Sequence, residues 1–248
     1  MQEIDGQPIA IESDILEQGN VEEVHATTVR IARLFQQFTY WPTYLLLRLL
    51  YRYEVEGQEN LIGLEERGVI FASNHASILD GPVLAAAMPR GSLFPKDFFP
   101  VRFLVSKEFF GFRTNPYIFL VSHITTTYVR INGSIPVIRG LGNPSNNLAE
   151  AVRAIRGGAK VSIFPEGKIT KDGRIQQGKW GVVYLHTATG APVVPLALIG
   201  THGIPSWRCI FRRNKIRVKI GKPIFSVPEN DRKAAVVRVM AEIERLCC

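Results

Sequence analysis

The sequence predicts an α/β fold: a mixed, mostly parallel sheet flanked by helices, with an N-terminal amphipathic helical pair. Three observations predict it. Short β-rich runs alternate with stretches of helical spacing from about residue 55 onward. Apolar residues make up 46% of the 248 and charged residues 21%, which allows a packed core and argues against bulk disorder. A segment dense in aromatics and leucine, Phe35 to Tyr53, precedes the alternation and is divided by Pro42.

Residues 1–20 read as a loose extension, 21–54 as a membrane-interface helical pair, and 55–248 as the main domain. Over 21–40, Val24, Thr28, Ile31, Leu34, Phe35 and Phe38 fall on one broad side of a helix. Pro42 should break that helix and start another, running to about Tyr53. In the second helix Arg48 and Arg52 share a face, and snorkelling arginines among aromatic rings suit a membrane interface. A helix packed on the protein's own core would carry much of the same pattern. No run of about 18 apolar residues occurs, and the acidic, mixed residues 1–24 do not read as a signal peptide.

Strands are expected at Gly68–Ser73, Val101–Ser106, Ile135–Arg139, Lys160–Phe164, Val193–Ile199 and Ile216–Ile220. Helices are expected at about 80–89, 113–130, 145–156, 179–189 and 230–246. Asn143-Pro144-Ser145-Asn146 opens the third of these and Gly157-Gly158 ends it. Asp231 can cap the last, where Val236, Val237, Met240, Ile243 and Leu246 recur at helical spacing.

The formal charge of +8, with a pI near 9.6, favours an anionic partner: a phosphate substrate, an anionic lipid surface or nucleic acid. Three cysteines, Cys209, Cys247 and Cys248, have no spacing that suggests zinc or a disulfide framework, and they fit a reducing compartment. The Cys247-Cys248 pair is weak evidence for a lipid attachment.

Two constellations carry chemistry. The strand ending at Ser73 runs straight into Asn74-His75, and strand ends are where α/β folds place their reactive groups. His75 and Asp80 are five apart, so on one helix they would diverge by about 140°. They meet only if His75 precedes the helix and the chain turns between them, with Ser77 as the expected N-cap. Asp80 could then fix the imidazole tautomer, leaving a neutral histidine able to take a proton from an alcohol. A structural reading is equally available: Ser77 and Asp80 have capping-box spacing. The second constellation follows Lys160 to Phe164. Pro165 and Gly167 force a turn that presents Glu166, with Lys168 and then Lys171, Arg174 and Lys179 nearby, a set suited to a polar, phosphorylated head group. Gly173 to Lys179 has P-loop glycine and lysine spacing, but Trp180 stands where magnesium needs Ser or Thr. No Gly-x-Ser-x-Gly elbow occurs, which argues against a serine hydrolase.

In order, Asn74-His75 through Asp80, Ile135 to Arg139, Phe164-Pro165-Glu166-Gly167 and Val193-Val194-Pro195-Leu196 resemble the motif blocks of the glycerolipid acyltransferase family, the lysophosphatidic acid acyltransferase group. The resemblance covers about residues 55–225. It implies an α/β enzyme that moves a fatty acyl group to the free hydroxyl of 1-acyl-sn-glycerol 3-phosphate. It implies His75 as general base, Asp80 as its partner, and Arg139, Phe164, Pro165, Glu166, Gly167, Lys168 and Lys179 around the acceptor. The implied donor is acyl-CoA or acyl carrier protein, with no metal, no cofactor and no covalent acyl-enzyme. The implied place is the cytoplasmic face of an anionic membrane, with no nucleic-acid partner. An oxyanion donor is expected among the backbone N–H groups near Ser77. The third block departs from the family's frequent Thr-Arg-Ser continuation: Lys168-Ile169-Thr170 looks more like members acting on lysophosphatidylethanolamine. The main competitor is a non-catalytic anion-binding module whose best patch is Arg208, Arg212, Arg213, Lys215, Arg217 and Lys219.

Overall fold

Among the described residues seven strands form one sheet, β1 (Arg52–Glu56), β2 (Val69–Ser73), β3 (Val101–Ser106), β4 (Ile135–Val137), β5 (Lys160–Ile163), β6 (Val193–Ile199) and β7 (Lys215–Ile220), in the order β1-β7-β6-β2-β5-β3-β4. The computed structural model describes residues 9–248 apart from 90, 95–96, 111–118, 139–143, 205–213 and 229–230, and omits the side chains of 9–25, 109–110, 119–122 and 125. All pairings are parallel except β6 with β7. The mixed, mostly parallel sheet is therefore present as expected.

β2 lies at the centre and all five of its residues are buried. Val69 and Phe71 point into a core shared with α1 (Ile9–Leu50) and α2 (Asp80–Ala86). Ile70 and Ala72 point the other way, into a core built with α5 (Ala149–Arg156), α6 (Gly181–Thr189) and α7 (Arg232–Cys247). The period-two alternation of a strand thus feeds two apolar layers, which is why the run is continuously hydrophobic. α3 (Phe119–Ile131) precedes β4, and α4 (Pro144–Asn147) leads into α5. Asp231 caps α7, accepting from Lys233 N at 2.9 Å and Ala234 N at 3.0 Å. The expected residues 113–118 of the α3 helix, and Asn143 before α4, lie outside the described residues.

The N-terminal region differs from expectation. The backbone is helical from Ile9, so residues 9–20 are not a loose extension, and one helix runs through Pro42 where a break was expected. A proline inside a helix forfeits one hydrogen bond and crowds the preceding turn. Here the turns on both sides are anchored. Buried Gln36 donates to Val101 O at 2.9 Å and Asn132 O at 3.1 Å, and accepts from Val101 N at 2.9 Å. Tyr40 O–H donates to Met88 O at 3.2 Å, and Leu47 is buried beyond the proline. Pro42 itself is exposed. The second difference is that the helix stops at Leu50 rather than Tyr53, and Arg52 opens strand β1 instead of sharing a helical face with Arg48. Pairing with β7 dictates this: Arg52 N donates to Asn214 O at 3.1 Å, and Tyr53, buried, donates its hydroxyl to Val83 O at 2.9 Å. The expected boundary between residues 54 and 55 therefore falls inside β1.

Candidate active site

The chain leaves β2 at Ser73 and enters α2 at Asp80. Asn74 makes the exit possible. Its amide continues the sheet in place of backbone, donating to Leu198 O at 2.9 Å and accepting from Leu198 N at 2.8 Å. Residues 74–79 are then released from the ladder to form the connecting turn.

Asp80 is fully buried, and one of its oxygens organises that turn. Oδ2 lies 2.9 Å from His75 Nδ1 and accepts from Ala76 N at 2.6 Å and Ser77 N at 2.8 Å. With Nδ1–H donated to the carboxylate, the other ring nitrogen, Nε2, keeps its lone pair. The structural and chemical readings of the pair are thus one arrangement: the oxygen that ties the turn also orients the imidazole. The expected cap by Ser77 is not found. The residue before the helix is Leu79, without a side-chain cap, and Ser77 Oγ instead donates to Ile204 O at 2.5 Å and accepts from Leu79 N at 3.1 Å. Asp80 does not cap the helix either: the N–H groups it accepts, those of Ala76 and Ser77, precede the helix and belong to the turn. The backbone N–H of Ser77, expected to serve an oxyanion, is already committed to Asp80.

His75 is fixed from three further sides. Its ring stacks on Phe164, with centroids 4.0 Å apart and planes 11° from parallel. Its N–H donates to Glu166 Oε1 at 2.8 Å, and its carbonyl accepts from Thr170 N at 2.8 Å. Glu166 is 2% exposed and spends its other oxygen on Gln176 N at 2.9 Å. Burial raises its carboxyl above the ordinary carboxylate range, against the lowering pull of the N–H bonds from Gln176 and His75. Glu166 therefore joins the 75, 166 and 176 segments and is not among the residues that line the cleft.

That cleft, of about 300 Å³, has an apolar wall of Leu104, Val137, Ile138, Leu148, Ile163 and Trp180. His75, Phe164, Pro165, Gly167 and Lys179 also line it. Gly167 has φ +71°, and a Cβ there would lie 2.9 Å from Lys179 Nζ. The left-handed turn favours glycine, and the flexible end of Lys179 lies across it. Lys179 is held by its own N–H, donated to Pro165 O at 2.8 Å, and its ammonium enters none of the ion pairs seen among the described residues. Lys168 is exposed and stands outside the lining. Arg139 lies outside the described residues. Its neighbour Ile138 is gripped by Asn147, which accepts from Ile138 N at 2.7 Å and donates to Ile138 O at 2.8 Å.

Sequence reasoning gave no role to Asn74, Asn147 or Trp180. An amide directly after a buried strand is a usable signal for the first; the other two depend on long-range packing. In the competing basic patch, Lys215 pairs with Glu54 at 2.8 Å and Arg217 with Glu56 at 3.2 Å, so part of its charge is neutralised by β1. Arg208, Arg212 and Arg213 lie outside the described residues.

The chain is similar to known acyltransferases. A family model described as Acyltransferase matches residues 52–199. A chloroplastic 1-acyl-sn-glycerol-3-phosphate acyltransferase of Brassica napus is 28% identical over 200 residues, covering 79% of this chain and 49% of that protein. An N-acylphosphatidylethanolamine synthase of Arabidopsis thaliana is 34% identical over 142 residues, covering 56% of this chain and 46% of that protein. The chain thus spans about half the length of the curated relatives it matches. The crystal structure of the 1-acyl-sn-glycerophosphate acyltransferase PlsC from Thermotoga maritima superposes with a TM-score of 0.60 at 21% identity, covering 91% of this chain and 81% of that one, and shares the fold.

Proposed function

The chain belongs to the acyltransferase family, and we propose that it moves a fatty acyl group from acyl-CoA or acyl carrier protein to the free hydroxyl of 1-acyl-sn-glycerol 3-phosphate. The observation that carries this reading is the single buried oxygen of Asp80 holding His75 at 2.9 Å on the wall of a largely apolar cleft. Nε2 of His75 takes the proton of the acceptor hydroxyl as that oxygen attacks the thioester carbonyl carbon. Asp80 stabilises the resulting imidazolium. The tetrahedral intermediate then expels the donor thiolate, which takes the proton back from His75 and leaves as thiol. The reaction so written uses no metal and no cofactor. Lys179, which enters no ion pair among the described residues, offers a cation on the cleft wall to the acceptor phosphate, joined by Arg139 from sequence. Glu166 acts by positioning His75 rather than by touching substrate. The apolar wall suits an acyl chain.

A second acceptor reading has support of its own. One relative is named for making N-acylphosphatidylethanolamine, and Lys168-Ile169-Thr170 departs from the family's commoner continuation. The acceptor would then be a lysolipid with an ethanolamine head group, or the amine itself.

No helix among the described residues is long and apolar enough to cross a membrane. The exposed apolar side of α1 fits a peripheral or monotopic place on the cytoplasmic face of a membrane, where the amphipathic acceptor resides.

A panel of lysolipid acceptors and phosphatidylethanolamine, assayed with one acyl-CoA and one acyl carrier protein donor, tests the proposal. Lysophosphatidic acid should be the preferred acceptor, and His75→Ala should lower its turnover by roughly 10²–10⁴-fold. Undiminished turnover in His75→Ala would sink the mechanism. Preference for an ethanolamine acceptor would select the second reading.

A further inference from the structure

The membrane reading above concerns α1, but a second apolar element stands beside it. The turn at 91–94, between α2 and β3, carries Leu93 at 68% and Phe94 at 55% exposed. Neither belongs to a core cluster among the described residues. The turn is shaped locally, with Ser92 Oγ donating to Phe94 O at 2.7 Å, and it is tied to α1 by the Trp41 indole N–H, which donates to Leu93 O.

Trp41 is the link that makes one surface of two elements. On α1 it falls between Phe38 and Leu45, both strongly exposed, and Leu34 and Leu49 extend the row by further steps of four. Those spacings keep a row on one helical side. The turn is therefore fastened to the helix within its exposed apolar stripe. Isolated exposed apolar side chains need no explanation, but a stripe with a stapled apolar turn does.

Charge decides what covers it. From Ala26 to Tyr53 the sequence has Arg30, Arg33, Arg48 and Arg52 and no acidic residue. A second copy would bring two such cationic stretches together, whereas an anionic lipid surface complements them. The surface is also braced against the candidate active site. Tyr40 O–H, next to Trp41, donates to Met88 O at 3.2 Å, just past the end of α2, the helix that Asp80 begins.

We propose that Leu93 and Phe94 form a second membrane-inserting wedge, stapled by Trp41 to the α1 stripe, so that the protein holds an anionic bilayer at two places and in one orientation. This rests on the membrane placement offered under the proposed function. α1 supplies a line of contact about which a docked protein could roll; the wedge, set off that line, fixes the roll.

The test is flotation with vesicles of phosphatidylcholine and phosphatidylglycerol, comparing the parent with Leu93→Ser/Phe94→Ser. Removing two exposed apolar side chains should lower vesicle partition on the order of 10-fold or more. Turnover of lysophosphatidic acid dispersed in detergent micelles should stay within about twofold, because neither residue touches the cleft. Trp41→Phe keeps an aromatic ring but loses the N–H donor, and should give an intermediate loss. Unchanged partition in the double variant overturns the proposal. So does a change of oligomeric state in sedimentation, which would identify the surface as a self-association site. Failure of the acyl-transfer reading would show separately, as absent turnover of dispersed substrate in the parent itself, with the flotation difference still present.

Discussion

At the scale of the residue, the arrangement turns on one oxygen. Three donors converge on Asp80 Oδ2, and two of them, Ala76 N and Ser77 N, are backbone groups that cannot be anything but donors. This makes Asp80→Asn informative. The amide must present its carbonyl oxygen to those two N–H groups, which also keeps it facing His75 Nδ1–H. The tautomer is therefore preserved; the negative charge is lost, and an NH2 takes the place of the buried Oδ1, which has no partner among the described residues. We expect turnover to fall on the order of 10²–10³-fold from the unsupported imidazolium, with KM for acceptor unchanged. Turnover within threefold of the parent in a steady-state assay would reduce Asp80 to a turn-former. The pair was legible in sequence because its spacing rules out a shared helical side and demands a turn. The positioning contacts of Glu166 were not legible. A carboxylate at a strand end reads as a head-group ligand, and the N–H groups of Gln176 and His75 that it accepts are brought to it by the fold.

Elements with continuous β-branched and apolar runs were readable to the residue. β6 occupies the expected Val193–Ile199, since such a run suits a strand buried on both sides, and β3 the expected Val101–Ser106 although buried Arg102 interrupts its apolar run. β1 was not readable. Its five residues follow an aromatic helical segment and become a strand by lying beside β7, with Val55 opposite Val218. The passage of α1 through Pro42 was hidden for a similar reason: its anchor, Gln36, reads as one polar residue on a helix, and its partners Val101 and Asn132 are distant in sequence. The anchor can be weighed. Gln36→Ala would leave Val101 N–H, Val101 O and Asn132 O short of partners in buried surroundings. At about 1–3 kcal/mol for an orphaned buried group, we expect urea melts to show a loss of about 2–4 kcal/mol. Phe38→Ala, two residues on and 77% exposed, should change stability by no more than about 0.5 kcal/mol. Equal effects at the two positions would mean that Gln36 does not anchor the helix.

For the whole molecule, the α/β class follows from alternating elements, but the strand order does not. Nothing in Lys215–Ile220 says that it runs antiparallel to β6 and carries β1 on its far side. That insertion has an electrostatic result, because Glu54 and Glu56 of β1 engage Lys215 and Arg217. The formal +8 is therefore not spread evenly over potential docking surfaces: it is partly compensated at this sheet edge and left uncompensated by sequence along the stretch containing Arg30, Arg33, Arg48 and Arg52. Each cation near an anionic bilayer contributes about 1 kcal/mol, so the three on α1, Arg30, Arg33 and Arg48, would supply about 3 kcal/mol at low ionic strength. Screening shortens from about 10 Å at 0.1 M salt to about 3 Å at 1 M and should remove most of that. Partition onto phosphatidylglycerol-containing vesicles should accordingly fall by roughly 10²-fold across that range. Partition onto pure phosphatidylcholine vesicles should hold or rise, since apolar burial is not screened. Equal salt sensitivity on the two vesicle types would show that the arginines do not face the bilayer. The charge would then have to act elsewhere, at the cleft beside Lys179, where salt would raise KM for a phosphorylated acceptor instead.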